Sequence, residues 1–291
     1  MEALTGELNS LALVESSCIA FAPNQSSHST SLAVEATPRY LYRVFDPSSP
    51  GETNANWVRS RDALRNEPAS VIDLFRRPEH EQMAYRIWGH LRWRNFPDDN
   101  LVSWTSSLLF AIQYIFYRHN HQRSRPSYAS IMICILDTRD LQYGAFIRDL
   151  DLIKSFAPFS EDLKGVERMR SLKVEGHCQI VSAQALIDLG LLTLRPEFTQ
   201  AAADLECGWA NDVVQMNTAL EHDLASPEPS QDIELLHVAL RIGELFEGRF
   251  RTHVMAHLAA IIPGQINVRD IACVFGGGKL DCTAPPSHAI S

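Results

Sequence analysis

The 291-residue chain holds no CxxC pair: its six cysteines, Cys18, Cys134, Cys178, Cys207, Cys273 and Cys282, stand far apart. Zinc sites and disulfide frameworks place their ligands in tight spacing, so the thiols read as isolated and reduced, with no metal. No apolar run approaches the ~20 residues a membrane span needs. The longest, 108–116, is interrupted by Gln113 and has the length of a buried helix. Glu2 and Glu7 stand where a signal peptide carries basic residues. There is no GxSxG, no HExxH and no dinucleotide fingerprint, and Gly276-Gly277-Gly278-Lys279 lacks the spacing of a phosphate loop. With 26 Lys and Arg against 35 Asp and Glu, the net charge of −9 withholds the basic footprint of indiscriminate nucleic-acid binding. These absences describe a soluble, cytoplasmic chain with no cofactor, no membrane and no DNA partner. They leave the oligomeric state open.

What is present suffices for a core, at 45% hydrophobic residues. Residues 1–37 are rich in Ser, Thr, Asn and Ala and read as a flexible leader. Residues 38–200 read as an α+β core domain, a small mixed or antiparallel sheet with flanking helices. Residues 201–275 read as a helical region, and 276–291 as a disordered tail. Strand composition marks 38–45, stopped by Asp46-Pro47-Ser48-Ser49-Pro50-Gly51. Met83, Ile87 and Leu91 at four-residue steps predict a helix over 79–94. Leu101-Val102-Ser103-Trp104 reads as a short strand, 108–118 as a core helix, 131–136 as a buried strand and 172–181 as a strand with a glycine kink. Ser182 is placed to cap a helix that Gly190 ends. Helices are expected over 201–224 and 232–260.

Three pieces can carry chemistry. Arg43 lies inside an apolar strand, where a guanidinium must find an anion, pair within the fold or reach solvent. Ser103-Trp104-Thr105-Ser106-Ser107 sits at a strand-to-helix entrance, where hydroxyls and free N–H groups suit a helix cap or an anion. Asp98 and Asp99 precede it, as turn residues or as partners of a cationic substrate group. The third piece is a downstream acid, Glu161, Glu167 or Glu175, the last sharing a strand face with His177. Basic clusters run from Arg76 through Arg86, His90, Arg92 and Arg94, and from Arg118 through Arg123 to Arg125. Tyr85, Trp88 and Trp93 interleave with the first. Such clusters serve either as solvated helix faces or as RNA contacts.

Four stretches, 38–44, 90–93, 100–111 and 179–184, resemble a broad family of filamentous-fungal proteins, a domain of unknown function, over roughly 38–200. Some members are arginine-containing cyclodipeptide synthases, which join arginine to a second amino acid drawn from aminoacyl-tRNA. The order of elements is also similar to the arginine–serine–glutamate layout of ADP-ribosyltransferases. The resemblance implies Arg43, Ser103, Ser106, Glu161 and Glu175 as candidate catalytic groups, and His90, Asp98, Asp99, Trp104 and Thr105 on the substrate. It implies Arg92, Arg94, Arg118, Arg123 and Arg125 on the tRNA. The chain departs from the family at 165–171, where a Gly-Glu-Tyr-Leu-like strand is replaced by Gly165-Val166-Glu167-Arg168-Met169-Arg170-Ser171. The family's glutamate therefore has no clean counterpart. The expected activity is tRNA-dependent formation of an arginine-containing cyclic dipeptide; the alternatives are NAD-dependent ADP-ribosyl transfer and a catalytically dead interaction module.

Overall fold

Aromatic and aliphatic side chains favour extended backbone where both faces of a strand are covered, and two such segments organise the sheet. The computed structural model describes residues 21–22, 37–65, 72–92, 94, 96, 99–121, 124–141, 144–164, 178–204, 229–263, 271 and 274. In chain order the elements are β1 (Tyr40–Phe45), β2 (Glu52–Thr53), β3 (Val58–Arg59), α1 (Arg61–Leu64), α2 (His80–Leu91), α3 (Leu108–His121), β4 (Met132–Asp137) and α4 (Asp149–Phe156). They continue with α5 (Glu161–Lys164), β5 (Cys178–Ser182), α6 (Ala183–Asp188), α7 (Pro196–Ala203), α8 (Pro229–Gly243) and α9 (Gly248–Ala260).

The fold is α+β, with a small antiparallel sheet in the order β1-β4-β5. Its middle strand, β4, is buried from Ile133 to Asp137. The hairpin β2–β3 pairs Glu52 with Arg59 and Thr53 with Val58. The expected strand at 101–104 does not form. Tyr42 and Thr105 instead exchange both backbone hydrogen bonds, at 2.7 and 2.8 Å, as an isolated antiparallel bridge.

The chain divides into two compact units, each built from separated stretches. The first comprises 1–43, 48–106 and 135–180. Its core gathers Met83, Ala84, Ile87 and Leu91 from one face of α2 with Leu152, Ile153 and Phe156 of α4. Phe21 joins this core: its ring meets Phe75 edge-on at 6.5 Å, and its N–H donates to the Gly144 carbonyl. That corrects the leader expectation at this point, because an aromatic side chain from the short apolar run 18–22 has found a buried slot. Glycine 276–278, Lys279 and the tail lie outside the described residues, as do residues 1–20 and 23–36.

The second unit comprises 44–47, 107–134 and 181–291. Helix α3 is apolar on most faces, as 108–118 predicts, and needs cover from several sides. Phe116 packs on Phe198 of α7 at 5.9 Å, and Asn120 donates to the Ala201 carbonyl at 2.8 Å. That cover comes from beyond residue 180, which is why this helix groups with the C-terminal elements. Ser182 caps α6 by accepting from the Ala185 N–H, and Gly190 follows with φ +103°, the left-handed conformation a C′ glycine supplies. The single helix expected over 232–260 is two: the chain reverses through 244–247, where Leu245 and Phe246 donate to the Ile242 and Gly243 carbonyls. The apolar spacing continues across that turn, which hides it from a periodicity count.

Candidate functional site

Helix α2 ends with His90 in its last turn and Arg92 as its C-cap. The chain must then fold back sharply, and Gly89 permits it. A Cβ at Gly89 would sit 1.4 Å from the Phe96 ring, so only glycine leaves room for the returning strand of chain. The Arg94 N–H donates to the Gly89 carbonyl at 2.9 Å, and Arg61 Nη1 donates to the Phe96 carbonyl at 3.0 Å. Ser60 Oγ donates to Asn100 Oδ1 at 2.9 Å while capping α1. These bonds tie Arg94 to the last turn of α2, and Phe96 and Asn100 to the start of α1.

The fold-back brings three polar side chains into a line. Asp99 Oδ2 lies 2.6 Å from His90 Nδ1, and His90 Nε2 lies 2.8 Å from Ser103 Oγ. The second carboxylate oxygen of Asp99 accepts from the Leu101 N–H at 2.9 Å, which fixes its orientation. A carboxylate only accepts hydrogen bonds, so it selects the tautomer with the proton on Nδ1. Nε2 is then the acceptor for the Ser103 hydroxyl. The side chains of His90 and Asp99 are 10% and 19% exposed, so both are largely sheltered from water. A nucleophile, a base and a group that orients the base are the parts of hydroxyl activation.

Arg43 completes the cluster from β1. Its Nε donates to Thr53 Oγ1 and its Nη1 to the Ser103 carbonyl, both at 3.1 Å. The guanidinium thus ties the backbone of Ser103 to the β2–β3 hairpin. The same hairpin is fastened by Cys178, whose Sγ donates to the Asn54 carbonyl at 3.1 Å and whose N–H donates to Ala55.

Of the residues singled out in the sequence, Arg43, His90, Asp99 and Ser103 converge. His90 and Asp99, read there as substrate contacts, flank one another as the middle and end of the relay. Ser106 lies at the bend beyond it, and the relay hydroxyl is that of Ser103. Trp104 is 3% exposed, and its indole Nε1 has no hydrogen-bond partner among the described residues. Thr105 serves through its backbone, in the bridge to Tyr42. Glu161 opens the short helix α5, exposed at its surface. Asp98, Glu167, Glu175, His177 and Arg123 lie outside the described residues.

Among the candidate tRNA contacts, Arg92, Arg94 and Arg125 are exposed. Arg118 is not available and must be corrected. It is buried against Asp46, with Nε and Nη2 donating to Asp46 Oδ2 at 3.0 and 2.6 Å and Nη1 to the Tyr114 hydroxyl. A buried guanidinium requires such a partner, because desolvation of an unpaired charge is costly. The relay was hidden in the sequence because Asp99 and Ser103 reach His90 only through the Gly89 fold-back, over nine and thirteen residues.

Among the described residues no group of His, Cys, Asp and Glu is arranged to hold a metal ion, and no helix is long and apolar enough to cross a membrane. Residues 36–169 match the family described as Domain of unknown function (DUF7587). That span contains Arg43, Thr53, His90, Asp99 and Ser103. No curated protein and no solved structure matches the chain.

Proposed function

We propose that the chain is an acyl-transfer enzyme in which Ser103 is the nucleophile, His90 its general base and Asp99 the group that orients the base. The observation that carries this reading is the Asp99–His90–Ser103 line, with bonds of 2.6 and 2.8 Å. The acyl donor is an aminoacyl-tRNA and the product a cyclic dipeptide containing arginine, the reading that the resemblance at 38–44, 90–93 and 100–111 supports.

The chemistry suits such a site because an aminoacyl ester is already activated. Ser103 Oγ attacks the ester carbonyl while His90 Nε2 takes its proton. The bond to the ribose oxygen breaks, and His90 returns the proton to that oxygen, leaving the aminoacyl group esterified to Ser103. The α-amine of a second aminoacyl ester attacks this carbonyl, a peptide bond forms, and Ser103 recovers its proton. The free amine of the dipeptidyl ester then attacks its own ester carbonyl, closing the ring and releasing the second tRNA. Arg43 acts through Ser103 by holding its carbonyl, and engages Thr53 with the same side chain.

The test is incubation of the protein with arginine, a second amino acid, ATP, tRNA and the matching synthetases. Mass spectrometry should find a cyclic arginine dipeptide that vanishes with ribonuclease and with Ser103→Ala. No product across all partner amino acids contradicts the assignment of donor.

A further inference from the structure

An aspartate in irregular chain has no helix or ladder to aim its side chain, so its direction comes from bonds made by its own and neighbouring groups. Asp99 sits in such a stretch, between the Gly89 fold-back and the bridge at Thr105. Three bonds hold it there. Its carbonyl accepts from the Asp62 N–H, in the first turn of α1, at 3.4 Å. The next side chain, Asn100, accepts through Oδ1 from Ser60 Oγ at 2.9 Å. The Leu101 N–H donates back to Asp99 Oδ1 at 2.9 Å, which leaves Oδ2 for His90 Nδ1.

The Ser60–Asn100 bond is buried on both sides. Ser60 is 1% and Asn100 6% exposed, and they meet across forty residues of sequence. Water does not compete for a bond so enclosed, so it keeps one geometry. Ser60 is also the N-cap of α1: its hydroxyl accepts from the Ala63 N–H at 3.2 Å while donating to Asn100. Ser60 follows β3 directly, and the β2–β3 hairpin supplies Thr53 to Arg43, which holds the Ser103 carbonyl. One stretch of chain, 53–62, therefore reaches both ends of the relay, the carboxylate through Asn100 and the nucleophile through Arg43.

We infer that Ser60 and Asn100 are positioning residues of the relay, and that their buried bond fixes 99–101 so that the Asp99 carboxylate meets His90. Neither touches the reacting atoms; both act through Asp99. The inference rests on the acyl-transfer reading for the chemistry it serves, and on the bonds at 60–62 and 99–101 for its geometry. A carboxylate displaced by about 1 Å no longer orients the imidazole, and misplacement of that size costs a chemical step up to about 10²-fold.

The test uses the full chain and two readouts: the rate at which a fluorophosphonate labels Ser103, and the proton NMR signal of the His90 Nδ1–H. A proton in a short histidine–carboxylate bond resonates far downfield, so the signal reports the 2.6 Å contact whether or not the site turns over. Asn100→Ala should slow labelling by about 10- to 100-fold and move or erase the signal. Ser60→Gly should do the same while largely sparing the α1 cap, since glycine is tolerated there, and it stands in if Asn100→Ala does not fold. Added to Asp99→Asn, Asn100→Ala should slow labelling no further, because it acts through Asp99. A signal unmoved in both Asn100→Ala and Ser60→Gly overturns the inference whatever the rates, since the His90–Asp99 contact is then intact. Labelling unchanged in both also overturns it, with Tm lowered or not, and so does a loss in Asn100→Ala that multiplies the loss in Asp99→Asn. If the parent itself takes no adduct, the acyl-transfer reading fails and the His90 signal decides this inference by itself. Unchanged labelling in the variants of a parent that does label counts against this inference and leaves the acyl-transfer reading standing.

Discussion

The imidazole of His90 reaches the hydroxyl of Ser103 at 2.8 Å across a fold-back of thirteen residues. That contact, with Asp99 behind it at 2.6 Å, is the relationship on which the functional reading turns.

Removing parts of the relay should give graded losses in product formation. Ser103→Ala is expected to lower kcat by about 10⁴-fold or more. His90→Ala is expected to cost about 10²- to 10⁴-fold, as for loss of a general base. The double variant should be no worse than Ser103→Ala alone, because the two act as a unit. Additive losses would show that they act separately.

Gly89→Ala places a methyl group into the Phe96 ring. Overpacking of this kind costs about 1–3 kcal/mol, and the displaced fold-back should separate Asp99 and Ser103 from His90. The expected outcome is a lowered Tm together with lost turnover. Pairing it with Phe96→Ala should recover part of both, since the two positions touch and are not additive. Unchanged activity in Gly89→Ala would show that the fold-back does not set the relay.

Arg43 is a positioning residue in this account. Arg43→Ala should lower kcat with little change in KM, and Arg43→Lys should recover only part of it. An ammonium is a point charge and does not span the Thr53 hydroxyl and the Ser103 carbonyl as the guanidinium fork does. A KM effect alone would make Arg43 a substrate contact instead.

The buried pair Asp46–Arg118 gives a stability test apart from the relay. Their side chains are 1% and 7% exposed. Asp46→Ala strands a buried guanidinium at a cost of about 3–5 kcal/mol, a fall in Tm on the order of 10 °C. Asp46→Leu combined with Arg118→Met should recover most of that loss. A small change in Asp46→Ala by thermal melting would contradict the burial.

Burial pushes the His257 imidazole below its ordinary range. The unfolded chain therefore takes this proton first as pH falls through about 6.5. Stability should be full above that value and decline on acidification. Tm should drop between about pH 7.5 and 5.5, near and below the ordinary histidine value, and His257→Gln should shrink the drop. An identical drop in parent and variant would clear His257 of the effect.

Much of the fold was legible because it is written in local chemistry. Strand composition at 38–45 and 131–136, the four-residue steps through Met83, Ile87 and Leu91, and the Ser182 and Gly190 caps each act within a few residues. The site was legible only as its members. Arg43, His90, Asp99 and Ser103 stood out as polar groups at element ends, but their line depends on a tertiary reversal that Gly89 and Phe96 permit. The Arg118 reading failed for the same reason. A basic residue at a helix C-terminus looks solvated until Asp46, seventy-two residues earlier, is seen beside it.

In the proposed mechanism Ser103 is a nucleophile made reactive by His90. Intact-mass and peptide mass spectrometry after exposure to a fluorophosphonate tests it directly. One adduct should appear on Ser103, absent in Ser103→Ala and sharply slowed in His90→Ala. A parent protein that takes no adduct, or one whose labelling is indifferent to His90, would contradict the account.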